Sequence, residues 1–429
     1  MSILFKNVHL TEKYGYQSSS VNLLVDGEKI TYIGKDLPQI QADRVIEGNG
    51  NLLLPGFYNA HCHSAMTLFR GYGDDLPLSR WLNEKIFPAE DRLNDERVYF
   101  GSLLAIAEMI RGGVVSFSDM YFFLDATAQA VMESGIKANL SRSIVSFDPD
   151  IDVENDSRIA EAVDVYKRWN GECDGRIKID MSLHAEYTNV EKCCRYLGKL
   201  AKDLGAGIQL HASETESEHR ECIERHGVTP IKFFEETGVL DVPVTAAHCV
   251  WVTEDDMRIM KEHGVTVAHN PVSNLKLGSG IMPYRKMKEI GVNVALGTDG
   301  AASNNRLSIL RELQYATLLH KGAELDPTVT LARDAIDMAT LNGAVSQGRY
   351  DCGEIKVGNR ADLVLIDMNS IGNIPSYDFE STVCYSAAES DVLMTVCDGR
   401  ILYDNGSYTS IDEERLRREA KRVISHYFD

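Results

Sequence analysis

The chain has 429 residues, which fits about three domains of ordinary size, or one domain of about 250 residues with a smaller module. Hydrophobic residues make up 44% of it, which excludes overall disorder, and no stretch approaches the roughly 18 uninterrupted apolar residues of a membrane span. The net charge of -20 disfavours nucleic acid and anionic membranes as partners, because both bind basic surfaces.

The N-terminus and the cysteines predict the cellular compartment. The first residues, MSILFKNVHLTEKYG, contain no basic region followed by an apolar one, so we expect no signal peptide. The 9 cysteines are an odd number without CxxC spacing, and Cys193 and Cys194 are adjacent. We therefore expect reduced thiols rather than a disulfide framework, and a cytoplasmic protein.

Both ends of the chain are rich in strand-like segments. Residues 1–56 contain SILFKNVHL, SVNLLVDGEKITYIG and ADRVIEGNGNLLLP, with glycine and aspartate at the turns. Residues 351–429 contain GEIKVGNRADLVLIDM, DVLMTVCDGRILYDNG, a strand-like segment around Val383 and a charged terminal helix over 412–428. We expect the two ends to meet in one small β-sandwich, on either side of a domain over residues 57–350.

Eight short apolar runs alternate with helical patterns in the middle of the chain. The runs cover residues 52–63, 114–120, 137–144, 176–185, 207–213, 244–250, 265–270 and 293–300. The helical patterns include ERVYFGSLLAIAEMIRGG and VEKCCRYLGKLAKDLG, and the second ends in a glycine, as a helix C-cap would. The alternation predicts an α/β fold with a (β/α)₈ TIM barrel, and a doubly wound open sheet is the alternative.

Half of the 12 histidines lie at or near the carboxyl ends of these predicted strands. They are His61, His63, His184, His211, His248 and His269. In a (β/α)₈ barrel this end carries the active site, because the loops that follow the strands meet there. Random placement would scatter the histidines through helices and loops, so their clustering predicts a site at the barrel mouth.

The pattern His61-Cys62-His63 ends the first barrel strand and is typical of metal binding. Residues i and i+2 of a strand point to the same side, so both imidazoles can face the barrel mouth, although two surface histidines would look the same. His211 offers a third imidazole, and Asp299 closes strand eight with a carboxylate. Together they suit Zn²⁺ or Fe²⁺. Alone, Asp299 fits a turn or helix-capping residue equally well.

Two further polar residues lie beside this set. Glu214 follows His211 by three positions and is a candidate proton carrier, although a carboxylate at a helix N-terminus looks the same. His248 ends strand six and is a candidate to hydrogen-bond the attacking water or the substrate, with a satisfied core histidine as the alternative. Cys62 and Cys249 alternate to the other side of their strands, so we interpret both as packing residues.

Three segments, PGFYNAHCHSAMTLFRGYGDDLPLSRWL, HNPVSNLKLGSGIMP and LGTDGAASNN, resemble the amidohydrolase superfamily, and more closely the 5-methylthioadenosine/S-adenosylhomocysteine deaminase family. The resemblance covers nearly the whole chain, including GEIKVGNRADLVLID. It implies a distorted (β/α)₈ barrel with a β-sandwich built from both termini. It also implies metal-dependent hydrolytic deamination, at C6, of 5′-methylthioadenosine, S-adenosylhomocysteine, 5′-deoxyadenosine or adenosine to the inosine analogue and ammonia.

The resemblance also implies a role for each candidate residue. The ligands of one divalent metal per subunit, usually zinc, would be His61, His63, His211 and Asp299. Glu214 would contact the purine ring and move protons, while His248 and Asp299 would assist the attacking water. His184 and Glu90 would contact the substrate, Glu90 at the ribose hydroxyls. Without the resemblance, His184 is only a polar residue at a strand end and Glu90 only an exposed residue at a helix start. Strand four ends without the lysine of two-metal relatives, so one metal is expected.

The residues after strand three depart from the resemblance. The family's pocket for a homocysteine carboxylate resembles a pair of arginines, and Arg142 fits one of the two places. The next residues, FDPDIDVEND, are acidic and offer no second arginine until Arg158. An acidic loop repels a carboxylate, so we expect neutral 5′ substituents to be preferred over S-adenosylhomocysteine. Glu186 is a second departure, because many relatives have a small residue or proline at that place.

Other functions fit parts of the sequence. A deaminase or chlorohydrolase on the same scaffold could act on guanine, cytosine, a triazine or a pterin, but Glu90 and Arg142 disfavour a base without ribose. A non-catalytic scaffold protein would typically lack the metal ligands that are present here. The charge and the missing H-x-E…P-C-x-x-C signature disfavour a nucleic acid deaminase. We therefore expect a small-molecule nucleoside as the partner, with the terminal helix packed on the sandwich or on a second subunit of a homo-oligomer.

Overall fold

Five strands open the chain in the computed structural model, which describes residues 1–15, 19–425 and 427. They are β1 (Ser2–Val8), β2 (Val21–Asp26), β3 (Lys29–Gly34), β4 (Arg44–Glu47) and β5 (Leu52–Pro55). The first four form a sheet in the order β3-β2-β1-β4, in which β1 is antiparallel to β2 and parallel to β4. The hairpin between β2 and β3 turns at Gly27, where the positive φ of 59° suits glycine.

The next eight strands form a parallel barrel. They are β6 (Phe57–Cys62), β7 (Val114–Tyr121), β8 (Lys137–Arg142), β9 (Ile177–Ser182), β10 (Ile208–Ala212), β11 (Val244–His248), β12 (Thr266–His269) and β13 (Asn293–Leu296). Strands that are consecutive in sequence are neighbours in the sheet. The amides of Thr298 and Asp299 donate to the carbonyl oxygen of His61, at 3.1 and 3.0 Å, which brings the last strand back to the first. The predicted barrel is confirmed, because a doubly wound sheet would reverse its strand order at one point.

Four strands follow the barrel and complete a second sheet. They are β14 (Leu363–Ile366), β15 (Val392–Cys397), β16 (Arg400–Asp404) and β17 (Ser407–Tyr408). The sheet has the order β17-β16-β15-β14-β5, so β5 from the N-terminal part pairs with the C-terminal strands. Buried side chains that include Phe5, Leu23, Leu53, Leu365 and Val396 pack the two sheets together. The predicted sandwich from both termini is thus confirmed, while the domain limits at residues 56 and 350 stay a prediction.

Helices connect the strands. The α-helices are α1 (Leu78–Trp81), α2 (Phe87–Glu90), α3 (Asp95–Arg111), α4 (Leu124–Ser134), α5 (Ser157–Trp169), α6 (Glu172–Gly175), α7 (Glu191–Leu204), α8 (Glu216–His226), α9 (Pro230–Glu236), α10 (Glu254–Glu262), α11 (Pro271–Lys276), α12 (Tyr284–Ile290), α13 (Ala301–Asn304), α14 (Ile309–Glu324), α15 (Ala332–Ala339), α16 (Leu341–Ser346), α17 (Phe379–Tyr385) and α18 (Glu413–Ile424). A π-helical turn over Leu82–Ile86 joins α1 to α2. The short 3₁₀ helices are Glu12–Tyr14, Ser64–Phe69, Glu186–Thr188, Val239–Asp241, Ile371–Asn373 and Glu389–Asp391. Among the described residues, none of these helices has the length and apolar character that crossing a membrane requires.

Two segments differ from the sequence expectation. The apolar run 52–63 is two strands, because the chain leaves the sandwich and enters the barrel at Gly56, where a side chain would collide with Val115. The segment around Val383 is helical, since Asp378 begins α17 by accepting a hydrogen bond from the amide of Ser381 at 2.9 Å. Val383 is buried in that helix, so its β-branched side chain marked a core position and not a strand.

A buried group of charges, the Lys137 cluster, joins the barrel to the sandwich at the amino end of the strands. The ammonium of Lys137 lies 2.5 Å from Oδ2 of Asp362 and 2.7 Å from Oδ1 of Asp398. Arg360 lies 3.0 Å from the same oxygen of Asp398, and the hydroxyl of Tyr58 donates to Asp362. Burial raises the pKa of Asp362, but the charge of Lys137 outweighs it, and the pKa is lowered.

Candidate functional site

A cavity of about 410 Å³ opens at the carboxyl ends of the barrel strands. All of the site residues predicted from sequence, except His61, line it: His63, Glu90, Arg142, His184, His211, Glu214, His248 and Asp299. His61 is 2% exposed and contacts the same group through its ring. Residues that lie at the ends of six different strands, and one on α2, therefore share a single cavity.

Three imidazoles and a carboxylate converge within this cavity. The Nε2 atoms of His63 and His211 are 3.4 Å apart. Oδ1 of Asp299 lies 3.2 Å from Nε2 of His63 and 3.6 Å from Nε2 of His61. Ligand atoms of His61, His63 and His211 lie within 4.8 Å of one another, as do those of His61, His248 and Asp299. Among the described residues, the buried Nε2 of His61 has no hydrogen-bond partner, and a nitrogen so placed fits a bound cation.

Backbone carbonyls orient two of the imidazoles. Nδ1 of His63 donates to the carbonyl oxygen of Met120, and Nδ1 of His211 donates to that of His184, both at 2.6 Å. The two Nε2 atoms are therefore left to face the centre of the group. Burial lowers the pKa of His61 to about 4 and the pKa of His211 well below its usual value, so both rings are neutral. Burial lowers the pKa of His63 as well, but Asp299 outweighs it and raises the pKa to about 9. This ring would give up a proton when a divalent cation binds, because neutral imidazole is the form that binds one.

Asp299 has a strained backbone at the centre of this group. Its φ of 59° lies in the left-handed region, which is uncommon for a residue with a side chain. The hydroxyls of Ser273 and Ser303 donate to its Oδ2 at 2.6 and 2.7 Å, which leaves Oδ1 to face the histidines. Burial raises the pKa of this carboxyl, but the hydrogen bonds and charges of His61 and His63 outweigh burial. The pKa is therefore well below its usual range. One oxygen of the carboxylate is thus held in place while the other remains available to a cation or a proton.

His248 and Glu214 lie side by side in the same cavity. His248 also has a positive φ, of 72°. Its Nδ1 lies 2.8 Å from Oδ1 of Asn274, and its Nε2 lies 3.8 Å from Oε2 of Glu214. The other oxygen of Glu214 accepts from the hydroxyl of Ser279 at 3.1 Å. Burial raises the pKa of Glu214, which favours the protonated form of this carboxyl.

Residues 273–279, in α11 and the loop after it, contact three of the site side chains, and we call them the 273–279 segment. The contacts join Ser273 to Asp299, Asn274 to His248, and Ser279 to Glu214. Reasoning from sequence missed all three donors and acceptors. HNPVSNLKLGSG contains them, but short polar residues at a helix and its following loop are typical of any capped helix. Only the fold shows which side chains they contact.

The remainder of the cavity wall is mainly apolar. Its apolar side chains are Met66, Leu78, Trp81, Leu82, Ile86, Phe87, Met120, Phe122, Phe123, Val145, Phe147 and Leu277. Glu90 lies among them near Tyr121, and burial raises the pKa of Glu90 to about 7. His184 is oriented by Thr188, whose Oγ1 lies 3.1 Å from Nδ1 of the imidazole. An apolar cavity with a few polar groups is typical of a small-molecule site.

Both arginines considered from the sequence line the cavity. Nε of Arg142 lies 2.9 Å from Oε2 of Glu161, and its guanidinium lies over the ring of Phe122. Arg158 lies 2.6 Å from Oδ2 of Asp156. The chain between β8 and α5 folds back and places Arg158 on the cavity wall together with Arg142. Each guanidinium is paired with a carboxylate, so the two arginines bring little net charge to the cavity.

Three other residues singled out by sequence lie apart from this arrangement. His269 is fully buried at the end of β12, and its Nε2 lies 3.1 Å from Nε2 of His320 on α14. The sulfur of Cys62 contacts the carboxylate of Asp119 at 3.6 Å, and the sulfur of Cys249 contacts the carbonyl of its own strand. These contacts agree with packing roles for both cysteines.

Glu186 receives a structural explanation. It is 2% exposed, its carboxylate lies 2.6 Å from Arg225, and it lies 2.8 Å from Nε2 of His226. The contact ties the end of α8 to the turn that carries His184 and Tyr187, both of which line the cavity. The departure at this position is therefore a buried ion pair that supports the cavity wall.

The chain is similar to proteins named as deaminases. The model of the amidohydrolase family matches residues 52–402. The chain is 46% identical to the 5-methylthioadenosine/S-adenosylhomocysteine deaminase of Dictyoglomus thermophilum, over 89% of this chain and 88% of that one. It is 43% identical to the 5′-deoxyadenosine deaminase of Methanosarcina acetivorans, over 93% and 91% of the two chains. A solved adenosine deaminase from Xanthomonas campestris, with bound zinc, superposes with a TM-score of 0.92 at 30% identity over 99% and 98% of the chains.

Proposed function

The chain belongs to the amidohydrolase family, and from this premise we propose that it hydrolyses the C6 amino group of adenosine-type nucleosides. The products are the inosine analogue and ammonia, so the enzyme is a hydrolase of C–N bonds. One observation carries the proposal. The imidazoles of His61, His63 and His211 and the carboxylate of Asp299 converge on a cavity that also holds Glu214 and His248.

We assign one divalent cation, zinc, to the three imidazoles and Oδ1 of Asp299. The donor set fits, because His61 Nε2 is otherwise unpartnered within the described residues and the Nε2 atoms of His63 and His211 face it. Nitrogen and carboxylate ligands in this number suit zinc, with Fe²⁺ as the alternative. When bound, the cation supplies the Lewis acidity that makes water a nucleophile at neutral pH.

The side chains around this group divide the proton transfers between them. Asp299 and His248 hold the attacking water and accept its proton, since the serine hydroxyls leave Oδ1 of Asp299 free and Asn274 orients the imidazole of His248. Glu214 protonates the purine ring nitrogen, because burial favours its protonated form. The first proton of the water, accepted by Asp299, then passes to the leaving amino group, which departs as ammonia, and the second proton of the water returns to Glu214.

We assign Glu90 and His184 to the rest of the substrate. A carboxylate can accept hydrogen bonds from both ribose hydroxyls, and Glu90 is a carboxylate on an otherwise apolar part of the wall. His184 is held by Thr188 beside the imidazole of His211, whose ring centroid lies 4.9 Å away. The substrate would therefore lie with its base toward the histidines and its ribose toward α2.

The 5′ substituent would meet aromatic side chains and the two paired arginines. Phe122 and Phe147 offer apolar contact, while Glu161 and Asp156 occupy the guanidiniums of Arg142 and Arg158. A carboxylate tail would have to displace one of these pairs, whereas a methylthio or methyl group would not. We therefore expect neutral 5′ substituents to be preferred, by about 10-fold or more in kcat/KM.

The test is ammonia release together with zinc content on the same sample. The substrates are methylthioadenosine, 5′-deoxyadenosine, adenosine, S-adenosylhomocysteine, guanine and cytosine. Turnover of an adenosine analogue with about one metal per chain would support the proposal. Bound metal with every adenosine inert would refute the substrate class and direct attention to guanine or cytosine. A tenfold preference for S-adenosylhomocysteine would refute only the assignment of the 5′ pocket.

A matched variant separates the chemistry from the binding. Glu214→Gln keeps the size of the side chain and its contact with Ser279, but it removes the proton carrier. We expect kcat to fall by about 10³-fold with zinc content unchanged. Equal kcat in the variant and the original protein would exclude Glu214 as the group that protonates the ring.

A further inference from the structure

Tyr427, just after the last helix, lies beside the cavity wall. Tyr427 follows α18 and is 2% exposed. Its hydroxyl donates to the carbonyl oxygen of Ala89 at 2.8 Å, and its own carbonyl oxygen accepts from Arg92 at 2.9 Å. Its ring meets the ring of Phe69 edge to face, with centroids 5.3 Å apart, and the guanidinium of Arg97 lies over its other side. The tyrosine is thus held by hydrogen bonds and ring contacts to residues between 69 and 97.

The α18 helix brings Tyr427 to this place. Leu416 and Val423 are buried on one side of the helix, and Arg422 pairs with Glu96 at the start of α3. Asp412 caps the first turn by accepting from the amide of Arg415 at 2.9 Å. The helix therefore packs on its own barrel, and the predicted homo-oligomer stays a prediction.

The residues that Tyr427 contacts lie next to the wall of the cavity, and Ala89 belongs to the same helix as the lining residues Phe87 and Glu90. The segment from α1 to α2 supplies six cavity-lining side chains, which are Leu78, Trp81, Leu82, Ile86, Phe87 and Glu90. Its middle is the π-helical turn over Leu82–Ile86, and such turns depart from regular helix hydrogen bonding and are frequent at functional sites. A segment of this kind needs contacts from elsewhere in the fold to hold one conformation.

Ala89 immediately precedes Glu90, so a hydrogen bond to the carbonyl of Ala89 fixes the peptide plane from which Glu90 projects. The phenol of Tyr427 and the carboxylate of Glu90 are also close in space. Burial raises the pKa of Tyr427 to about 12, and the charge of Glu90 adds to the rise. On the other side, Glu90 faces Tyr121, which lines the cavity.

We propose that Tyr427 is a positioning residue that fixes Glu90 for the ribose hydroxyls of the substrate. This inference rests on the proposed function, which assigns Glu90 to the ribose. It makes Tyr427 part of the specificity of the enzyme, although this residue follows a helix on the outside of the barrel.

The test compares two substrates that differ only in the ribose hydroxyls. Adenosine has the 2′ and 3′ hydroxyls, and 2′,3′-dideoxyadenosine lacks both. For Tyr427→Ala we expect KM for adenosine to rise by about 10-fold with kcat within about 2-fold, and Tyr427→Phe should raise it by about 3-fold. For dideoxyadenosine, neither variant should change KM by more than about 2-fold.

Two controls make the result specific. Tyr408→Phe removes another tyrosine hydroxyl from the C-terminal part, one that donates to the carbonyl of Ala107 at 2.9 Å on α3, and it should change neither substrate's KM. In a Glu90→Gln background, Tyr427→Phe should add no further loss, because the two residues act through the same contact. Zinc content and the thermal midpoint are measured on every variant.

Each outcome decides between alternatives. Equal losses with adenosine and dideoxyadenosine, or a fall in kcat at constant KM, would overturn the proposal and leave Tyr427 a purely structural residue. If Tyr427→Ala does not fold, the nearly isosteric Tyr427→Phe decides alone. If the unmodified protein releases no ammonia from adenosine, the proposed function fails before the role of Tyr427 is tested.

Discussion

Buried charged groups occur at both ends of the barrel, and their surroundings differ. In the Lys137 cluster at the amino end, Lys137 is 1% exposed and contacts the carboxylates of Asp362 and Asp398 directly. At the carboxyl end, His61 and Asp299 are buried almost as deeply, at 2% and 6% exposure, but they border a cavity of about 410 Å³. The depth of burial is therefore similar at the two ends.

What separates the two ends is whether the buried groups satisfy one another. The ammonium of Lys137 lies between two carboxylates, so the charges cancel within the protein. At the carboxyl end, the Nε2 of His61 lacks a hydrogen-bond partner among the described residues, and Oδ1 of Asp299 faces imidazoles rather than the ammonium of a lysine. Titratable groups that face a cavity without a permanent counter-charge indicate a site prepared for a ligand, whereas an ammonium paired with two carboxylates away from that cavity indicates a structural role.

The largest expected effect is the loss of activity when a histidine at the carboxyl ends of the barrel strands is removed. His211→Ala should lower kcat/KM by about 10⁴-fold or more, because the cation and its Lewis acidity would be lost. Zinc content should fall with it, while the metal-free variant should be as stable as the metal-free original to within about 1 kcal/mol. Steady-state kinetics, metal analysis and urea unfolding measure the three quantities.

His269→Ala is the matched control, because His269 is also a buried histidine at a strand end. Its Nε2 lies 3.1 Å from Nε2 of His320, and it does not line the cavity. It should retain zinc and kcat. Loss of zinc from both variants would contradict the separation of His269 from the site.

The second effect is on stability at the amino end. Lys137→Met should lower the free energy of unfolding by about 3–5 kcal/mol, because two buried carboxylates lose their partner. The kcat of the folded fraction should stay near that of the original protein. A large fall in kcat with unchanged stability would reverse the assignment of the two ends.

The loss of unfolding free energy caused by Lys137→Met should also depend on pH. In the original protein Lys137 lowers the pKa of Asp362, so this contribution to stability is complete above about pH 4 and constant from pH 5 to 8. In the variant, burial without the ammonium raises the pKa of the carboxyl, and the unfolded state then binds fewer protons than the folded one. The difference in unfolding free energy between the two proteins should therefore be larger at pH 8 than at pH 5.

The third effect concerns the 273–279 segment. Asn274→Ala removes the contact that orients His248, and we expect kcat to fall by about 30-fold with zinc content unchanged. A structural role alone would lower stability and leave kcat in place. Ammonia-release kinetics and urea unfolding, measured on a variant of known zinc content, distinguish the two results.

The smallest effect comes from the same segment. Ser279→Ala removes one hydroxyl that donates to Glu214, and kcat should fall by about 3- to 5-fold, since a single neutral hydrogen bond contributes modestly. In the Glu214→Gln background, the serine substitution should have little further effect on kcat. An undiminished effect there would show that Ser279 acts on some other group.

The sequence determined the α/β class, the eight barrel strands, the sandwich from both ends and the histidines that share the cavity. These features follow from local patterns, because the spacing of apolar residues sets each strand and the position of a side chain at a strand end sets its place at the barrel mouth. Glu90 was found only through a resemblance, since a carboxylate at a helix start is common on any surface.

Tertiary structure alone decided the rest. The break at Gly56, the return of Arg158 to the cavity, the contacts of the 273–279 segment and the position of Tyr427 beside Ala89 all depend on which elements meet. Residues 89 and 427 are 338 positions apart, and no local pattern connects them. Such contacts arise when separately formed elements pack into one core, so each follows from the complete fold rather than from any segment of the chain.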